Sequence, residues 1–418
     1  MNVLIKSATI LDSKSDFHNK TQDILVENGS ISQIADSIKN PHQYQVIKLD
    51  NLHVSQGWFD SSVSFGEPGF EDRETIENGL ATAAKSGFTD VALNPNTFPV
   101  IDSHSDVAFA QNKSEKTATK LHPIGALTEG AKGTRLSEIY DMFKAGAVAF
   151  GDYKKPIDNP NILKIALQYA ASFGGLVQSF PLDQKIAGSG VINEQTTSIK
   201  LGLKGSPNLA EELQVSRDLS ILEYSGGCLH IPTISTSKSV ALIREAKRKG
   251  LDVSCSVPIH NLIFTDSSLE NYNTNFKVNP PLRTQEDVDA LISAVKDGTI
   301  DMVTSDHNPL SIELKKVEFD FAAFGTIGLE SAFGALNSIF STKKTIELLT
   351  AGKNRFGIDV QPIEVGNLCH ISLFDPDPTY TFSSSCISSK SKNSLFVGQR
   401  LKGTVYGILG NNRCALSN

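Results

Sequence analysis

Acidic and hydroxyl residues alternate along one short apolar segment, GWFDSSVSFGEPG at residues 57–69. The segment has the pattern of a strand, so Asp60, Ser62 and Ser64 would point to the same face of it. A carboxylate beside two hydroxyl groups can accept hydrogen bonds from them and can act as an acid or a base. Glycine and proline after the strand indicate a turn. The segment therefore predicts a polar cluster at the end of a strand.

Eight short apolar runs alternate with amphipathic segments in the middle of the chain. The runs are 58–65, 88–94, 121–127, 147–152, 175–180, 228–234, 251–257 and 300–306. The helix-like stretch 74–87 has apolar residues at every third or fourth position and stops at Gly87. Repeated βα units give a parallel sheet, and eight of them predict an α/β protein with a closed, TIM-like (β/α)8 barrel. Sites of such barrels form where strands end, as at Asp152 and Asp306.

Both ends of the chain have a different sequence pattern, with short runs in which apolar and polar residues alternate and with an Asn-Gly turn at 28–29. We expect these ends to form a small β-sandwich domain together. The predicted division is 1–55 for the first part of this domain, 56–360 for the barrel and 361–418 for the second part.

The composition excludes several classes of protein. The formal net charge is -7 and no cluster of Lys and Arg stands out, so neither a nucleic acid nor an anionic membrane is expected as a partner. The N-terminus shows no apolar run followed by a cleavage site. Five cysteines without a C-x-x-C pair indicate a reducing compartment. We therefore expect a cytoplasmic protein.

Ordered sequence blocks resemble those of dihydroorotases of the amidohydrolase superfamily, in their long-chain bacterial class. DSSVSFGEPG is similar to the family's D-x-H-x-H-x-R-E-P-G, and NPNTFPVID (94–102) is similar to its M-P-N-T-x-P-V-I-D. Further blocks match in order: GALTEGAKG (125–133), GAVAFGD (146–152), NFKVNPPLRT (275–284), TSDHNPL (304–310), AFGTIGLES (323–331) and KSKNSLFVGQRLKGTV (390–405). The resemblance covers nearly all 418 residues.

The family hydrolyses a cyclic amide with one or two zinc ions, interconverting dihydroorotate and carbamoyl aspartate. The resemblance places four other residues at the positions of the metal-binding histidines: Ser62, Ser64, Gln178 and Thr233. It places Gly66 at the arginine that binds the substrate carboxylate, and Leu310 at a substrate-binding histidine. Hydroxyl and amide groups are poor zinc ligands beside imidazole, so these positions predict no zinc site.

Five other residues match the family's site. The resemblance implies that Asp306 is the proton-shuttling aspartate, that Asp152 bridges or flanks the metals, that Asn96 and Asn279 bind substrate, and that Asp60 supports the first strand's ligands. Each also has a structural interpretation, because such residues cap backbone N–H groups and fix turns. We favour the structural interpretation. Our hypothesis is that the former metal pocket became a neutral network, in which hydroxyl and amide groups hydrogen-bond to the carboxylates.

Three functions remain open, and whether the chain is an enzyme stays open with them. We favour a dihydroorotase homologue of pyrimidine biosynthesis without zinc-dependent catalysis, which acts as a structural or assembly partner, for example of aspartate transcarbamoylase. No cofactor is expected for it. An active dihydroorotase would need zinc held by Asp152 and Asp306. A metal-free ligand-binding protein or altered amidohydrolase would use Asp306 as its acid or base. The resemblance also implies a homo-oligomer.

Overall fold

The computed structural model describes residues 1–40 and 42–417. Its strands are β1 (Val3–Ile10), β2 (Thr21–Glu27), β3 (Ser30–Ala35), β4 (Gln45–Ile47), β5 (His53–Gln56), β6 (Trp58–Val63), β7 (Phe88–Leu93), β8 (Lys120–Gly125), β9 (Ala149–Phe150), β10 (Leu176–Gln178), β11 (Ile192–Asn193), β12 (Gly205–Ser206), β13 (Cys228–Ile231), β14 (Val253–Pro258), β15 (Met302–Thr304), β16 (Ile371–Thr381), β17 (Arg400–Gly410) and β18 (Arg413–Leu416). These strands form two large sheets and one small two-stranded sheet of β11 and β12.

The helices surround one of the large sheets. They are α1 (Ile76–Lys85), α2 (His104–Ser114), α3 (Ile139–Lys144), α4 (Pro160–Ala171), α5 (Gln184–Ala187), α6 (Thr196–Leu201), α7 (Asn208–Ser225), α8 (Ser237–Arg248), α9 (Gln285–Asp297), α10 (Ile312–Lys315), α11 (Leu329–Ile339) and α12 (Thr342–Thr350). Short 3-10 helices cover Glu129–Ala131, Ile259–Leu262, Asp266–Leu269, Thr274–Phe276, Lys353–Phe356 and Ser384–Cys386.

Eight parallel strands form the predicted barrel, in the order β6, β7, β8, β9, β10, β13, β14 and β15. Each of the eight predicted apolar runs overlaps one of them. The two ends of this path meet where Val63 pairs with His307 in a parallel bridge and the Ser64 amide donates to the His307 carbonyl at 2.7 Å. Strands buried on both faces need continuous apolar runs, which explains why the pattern was visible in the sequence. The fold class is confirmed.

Local sequence signals set the bounds of the barrel helices. The Thr75 hydroxyl caps α1 by accepting from the Asn78 amide at 3.2 Å. The Thr284 side chain caps α9 in the same way, and α9 ends at Gly298, whose φ of 81° favours glycine. Buried apolar residues of both helices, such as Leu80 and Leu291, belong to the same core as those of the barrel strands.

The second large sheet is built from both ends of the chain, in the order β18, β17, β16, β5, β1, β2 and β3, with β4 pairing to β1. It has its own apolar core, which includes Val26, Val54 and Leu373. At its junction with the barrel, the Trp58 ring stacks on Phe333 at 5.0 Å and contacts Phe374 at 5.5 Å. The exact division at residues 55/56 and 360/361 stays a prediction.

Among the described helices, none combines the length and the apolar character that a membrane-spanning helix requires.

Candidate functional site

Asp60 joins the first barrel strand to the last one. One of its carboxylate oxygens accepts from the Thr304 hydroxyl at 2.5 Å, and the other accepts from the Ser305 amide at 2.8 Å. The Ser62 amide donates to the same carboxylate at 3.0 Å. The side chain is buried, and this burial raises its pKa above the usual value despite the hydrogen bonds. These contacts give Asp60 a role in closing the barrel.

Two asparagines hold the serines that follow Asp60. The Asn94 side-chain amide donates to the Ser62 hydroxyl at 3.0 Å, and the Ser64 hydroxyl donates to the Asn96 side-chain oxygen at 3.0 Å. Asn94 also reaches Ser64 at 3.4 Å, so the two serines lie on a common face as the alternation predicted. The structure thus uses Asn96, a predicted substrate-binding residue, as a partner of Ser64.

Asp152 is held by the loop after β8. Its carboxylate accepts from the Thr128 amide at 3.1 Å and from the Thr128 hydroxyl. Burial raises the pKa of this carboxyl group. The preceding residue is Gly151, where a Cβ atom would lie 2.6 Å from the Cβ of Gln178. A side chain at residue 151 would therefore displace Gln178 from the barrel interior.

Asp306 forms a buried ion pair with Lys154, which is not among the predicted site residues. The Lys154 ammonium lies 2.6 Å from a carboxylate oxygen of Asp306, with 12% and 1% of the two side chains exposed. The Tyr153 hydroxyl donates to the other oxygen at 3.4 Å. Burial raises the pKa of Asp306, and Lys154 opposes this shift. The pocket therefore contains a cation supplied by the chain itself.

This ion pair corrects the hypothesis of a neutral network. The partners of Asp152 and Asp306 are Thr128, Tyr153 and Lys154, and not the side chains at the four histidine positions. Lys154 follows Asp152 by two residues at the end of a barrel strand, which is the sequence signal that could have pointed to it.

Three residues at the mouth of the barrel have left-handed backbone conformations: Lys154 at φ 51°, Thr233 at φ 58° and Asp306 at φ 50°. This conformation is unfavourable for residues with a side chain, and especially for a β-branched threonine. Such strain persists where the surrounding structure fixes the backbone, and it is common at active sites and ligand-binding sites.

A small cavity of about 20 Å³ lies among these residues. Its lining includes Ser62, Asp152, Lys154, Gln178 and Thr233, so three of the four histidine positions do come together. The Thr233 hydroxyl is buried and has no hydrogen-bond partner in the described part of the chain. A polar cavity of this size can hold one water molecule. It is far below the roughly 300–1,000 Å³ of small-molecule sites.

Asn279, the other predicted substrate-binding residue, lies apart from that cavity. It lines a separate cavity of about 170 Å³ together with Leu182 and Pro281. Leu310 is buried, and its amide donates to the Asn393 side chain at 3.1 Å. The structure therefore does not bring the predicted substrate contacts into one pocket.

The turn after β6 occupies the space of a side chain at Gly66. A Cβ atom there would lie 1.7 Å from the Phe70 carbonyl oxygen. The Gly66 amide donates to the Glu74 carbonyl at 2.9 Å, and its own carbonyl accepts from the Phe70 amide at 2.7 Å. No larger residue fits this position unless the turn moves.

The buried histidines near the barrel interior do not replace the missing ligands. Both ring nitrogens of His230 contact serine hydroxyls of β14, at 2.9 and 3.3 Å. His307 accepts from the Gly328 and Leu329 amides at 3.3 and 3.4 Å. His260 is buried, and within the described residues neither of its ring nitrogens has a partner. Burial, assisted by Lys154, lowers its pKa to about 3.

The zinc that the family resemblance implies does not fit these residues. Across residues 1–40 and 42–417, no three His, Cys, Asp or Glu side chains form a group that could hold a metal ion. Zinc sites require three or four such ligands, and the Lys154 ammonium beside Asp306 would repel a second cation.

A family model matches part of this chain, and individual relatives match nearly all of it. A family model described as dihydro-orotase-like matches residues 53–239. A dihydroorotase of Ruminiclostridium cellulolyticum is 40% identical over 419 residues, which cover 98% of this chain and 97% of the relative. A dihydroorotase of Pelotomaculum thermopropionicum is 37% identical over 425 residues, which cover 100% of this chain and 99% of the relative.

Two solved structures share the fold. The L-hydantoinase (dihydropyrimidinase) of Arthrobacter aurescens has a TM-score of 0.84 at 21% identity, covering 99% of this chain and 95% of its own. The dihydropyrimidinase of Brevibacillus agri NCHU1002 has a TM-score of 0.81 at 20% identity, covering 100% of this chain and 95% of its own. At such low identity this similarity concerns the fold alone.

Proposed function

This chain belongs to the dihydroorotase-like family, and we propose that it is a member without zinc-dependent hydrolysis that acts as a structural or assembly partner. The observation that carries the proposal is the ion pair of Lys154 with Asp306, 2.6 Å apart in the barrel mouth. Asp306, which the resemblance matches to the family's proton-shuttling aspartate, is thereby held by the ammonium group of Lys154.

The family's reaction needs groups that this pocket lacks. A hydrolytic zinc site uses about three protein ligands and one open position for water. The described residues offer no such group, and hydroxyl or amide side chains stand at the four histidine positions. The cavity of about 20 Å³ at the former histidine positions is also smaller than a substrate pocket of roughly 300 Å³ or more. These features support a loss of catalysis.

A retained scaffold supports the assembly role. The relatives match this chain from end to end, although its pocket differs from the family pattern. A scaffold persists without its chemistry only if its surface or its stability still matters, and we propose that its surface binds another protein. The family resemblance suggests aspartate transcarbamoylase as this partner, in the cytoplasm.

Retained catalysis is the second candidate, because both relatives are named dihydroorotase. Elemental analysis of the purified protein, with a dihydroorotate hydrolysis assay in both directions, separates the two. We expect less than a tenth of an equivalent of zinc per chain and no turnover above the blank, while a zinc-dependent dihydroorotase serves as positive control. A stoichiometric metal with turnover that a chelator abolishes would overturn the proposal.

The assembly role needs its own experiment. Aspartate transcarbamoylase from the same organism is expressed with and without this chain, and the mixture is separated by size. Co-elution in a fixed ratio is expected. Separate elution of the two proteins at 50 µM would exclude this partner but would leave the loss of hydrolysis intact.

A further inference from the structure

A cavity of about 630 Å³ lies between the segment that follows β15 and the segment that precedes β17. Its volume falls within the range of roughly 300–1,000 Å³ that is usual for small-molecule sites. Four lysines but only two carboxylates line it: Lys315, Lys316, Lys390 and Lys392 with Asp72 and Glu313. We call this cavity the lysine pocket. Its wall is therefore positive, although the formal net charge of the chain is -7.

Lys315 is the buried member of these lysines, with 5% of the residue exposed. Its ammonium donates to the Ala323 and Gly325 carbonyls, both at 3.0 Å. Lys277 lies beside it, is 2% exposed, and also donates to backbone carbonyls. Burial, and then the charges of Lys277 and Lys154, lower the pKa of Lys315 to about 7. The surrounding protein thus supplies too little negative charge for this ammonium group.

Two exposed lysines are held on the wall of the pocket by the backbone as well. Lys390 donates to the Glu71 carbonyl at 2.7 Å, and Lys392 donates to the Ile387 and Ser389 carbonyls at 2.7 and 2.8 Å. Within residues 1–40 and 42–417, none of the four lysines has a carboxylate oxygen within 4.0 Å of its ammonium nitrogen. The carbonyl oxygens satisfy the hydrogen bonds of these lysines but leave their positive charge without a counterion.

Hydrogen bonds to loop carbonyls do not by themselves explain the choice of lysine at residues 277 and 315. A neutral amide side chain also donates to a carbonyl, and its burial costs far less than the burial of an unpaired charge. Two buried ammonium groups without a carboxylate lower the stability of this region, and an anion beside them would offset that cost.

From these features we infer that the lysine pocket binds a small organic anion through a phosphate group. A phosphate monoester carries about -1.5 to -2 charges near pH 7 and has three acceptor oxygens, so it contacts several ammonium groups at once. Lysine binds phosphate as a point charge, whereas one lysine would suffice to neutralise a single carboxylate. Leu310 and Ile312, the latter 66% exposed, add an apolar wall for the organic part of the ligand. The inference does not depend on whether hydrolysis is lost.

Calorimetric titration of the full chain tests this inference. The probe is glycerol 3-phosphate, a phosphate monoester, and the comparison is succinate, whose two carboxylates carry a similar total charge. We expect one glycerol 3-phosphate per chain with a dissociation constant below about 1 mM, and roughly tenfold weaker binding of succinate. Absence of glycerol 3-phosphate binding at about 10 mM would overturn the inference, and so would equal affinity for succinate.

Matched variants locate the binding. Lys316→Gln with Lys390→Gln should raise the dissociation constant roughly tenfold or more, because two charged donors are lost. Since Lys316 is exposed, Lys316→Gln alone keeps the test valid if the double variant does not fold. Lys48→Gln with Lys116→Gln removes the same charge at exposed lysines outside the pocket and should change the affinity by less than about twofold. Equal affinities of the pocket and control variants would show that the lysine pocket is not the binding site.

Discussion

The Lys154 ammonium lies 2.6 Å from the Asp306 carboxylate, and only 12% and 1% of these side chains are exposed. Lys113 and Glu67 form a pair with the same 2.6 Å separation at the surface, where 43% of the lysine side chain is exposed. The distances are equal, but the surroundings differ. In the barrel mouth the ammonium balances the charge of a carboxylate that has little access to water. A metal ion could otherwise balance this charge.

Removal of the buried ammonium should therefore lower the stability of the folded protein. Lys154→Met leaves Asp306 buried without a cation, and we expect a loss of about 3–5 kcal/mol in the free energy of unfolding. Lys113→Met at the surface should cost less than about 1 kcal/mol. Urea unfolding, followed by the fluorescence of Trp58, the single tryptophan, measures both values.

A second substitution tests whether charge is the cause. Asp306→Asn removes the carboxylate and suits the left-handed backbone at this residue, which asparagine tolerates. The double variant with Lys154→Met should recover most of the lost stability. Equal losses in the single and double variants would show that packing, and not charge, explains the effect.

The sequence predicted the barrel because eight buried parallel strands need eight apolar runs, and the residues at their ends follow from this periodicity. Strand alternation correctly placed Ser62 and Ser64 on one face. The ion pair was not predictable in this way, because Lys154 and Asp306 are 152 residues apart and meet only when the barrel closes. The separate cavity around Asn279 likewise depends on loop packing that has no periodic signal.

Gly66 provides a second prediction. A Cβ atom would lie 1.7 Å from the Phe70 carbonyl oxygen, so Gly66→Ala should destabilise the protein by about 3 kcal/mol or more. At Gly174, where φ is 73°, an added Cβ atom would meet nothing within 4 Å, and Gly174→Ala should cost only about 1 kcal/mol. Comparable urea midpoints for the two variants would mean that the turn at Gly66 moves easily. In that case an arginine could return to this position.

Three buried histidines predict how stability depends on pH. Burial lowers the pKa of His230, His260 and His307 to about 3 in the folded protein, against about 6.5 in the unfolded chain. The unfolded chain therefore binds more protons below about pH 6.5. The stability contributed by the neutral imidazoles is complete above that pH and is lost as the pH falls towards 3. The raised pKa values of Asp60 and Asp152 act in the opposite sense.

Substitution of one histidine separates its contribution to the pH dependence of stability from the contributions of the carboxyl groups. His260→Leu should reduce the slope of stability against pH by up to about 1.4 kcal/mol per pH unit between pH 6 and pH 4. Urea titrations across this range measure the slope. His104 is exposed, so His104→Leu offers a matched substitution at a histidine outside the core. An unchanged slope in His260→Leu would contradict a neutral, buried imidazole at residue 260.

The Lys154 ammonium is expected to help exclude zinc from the barrel mouth. Ser62→His and Ser64→His together introduce two imidazoles at histidine positions of the family, and residue 62 lines the cavity with Asp152, yet Lys154 would still pair with Asp306 and repel the ion. This variant should contain little zinc. Adding Lys154→Gly removes the ammonium and also suits the φ of 51° at that residue. Elemental analysis after growth with zinc should then give at least a tenfold higher metal content. Equal zinc contents in the variants with and without Lys154→Gly would show that the ligand set alone, and not the Lys154 ammonium, excludes the metal.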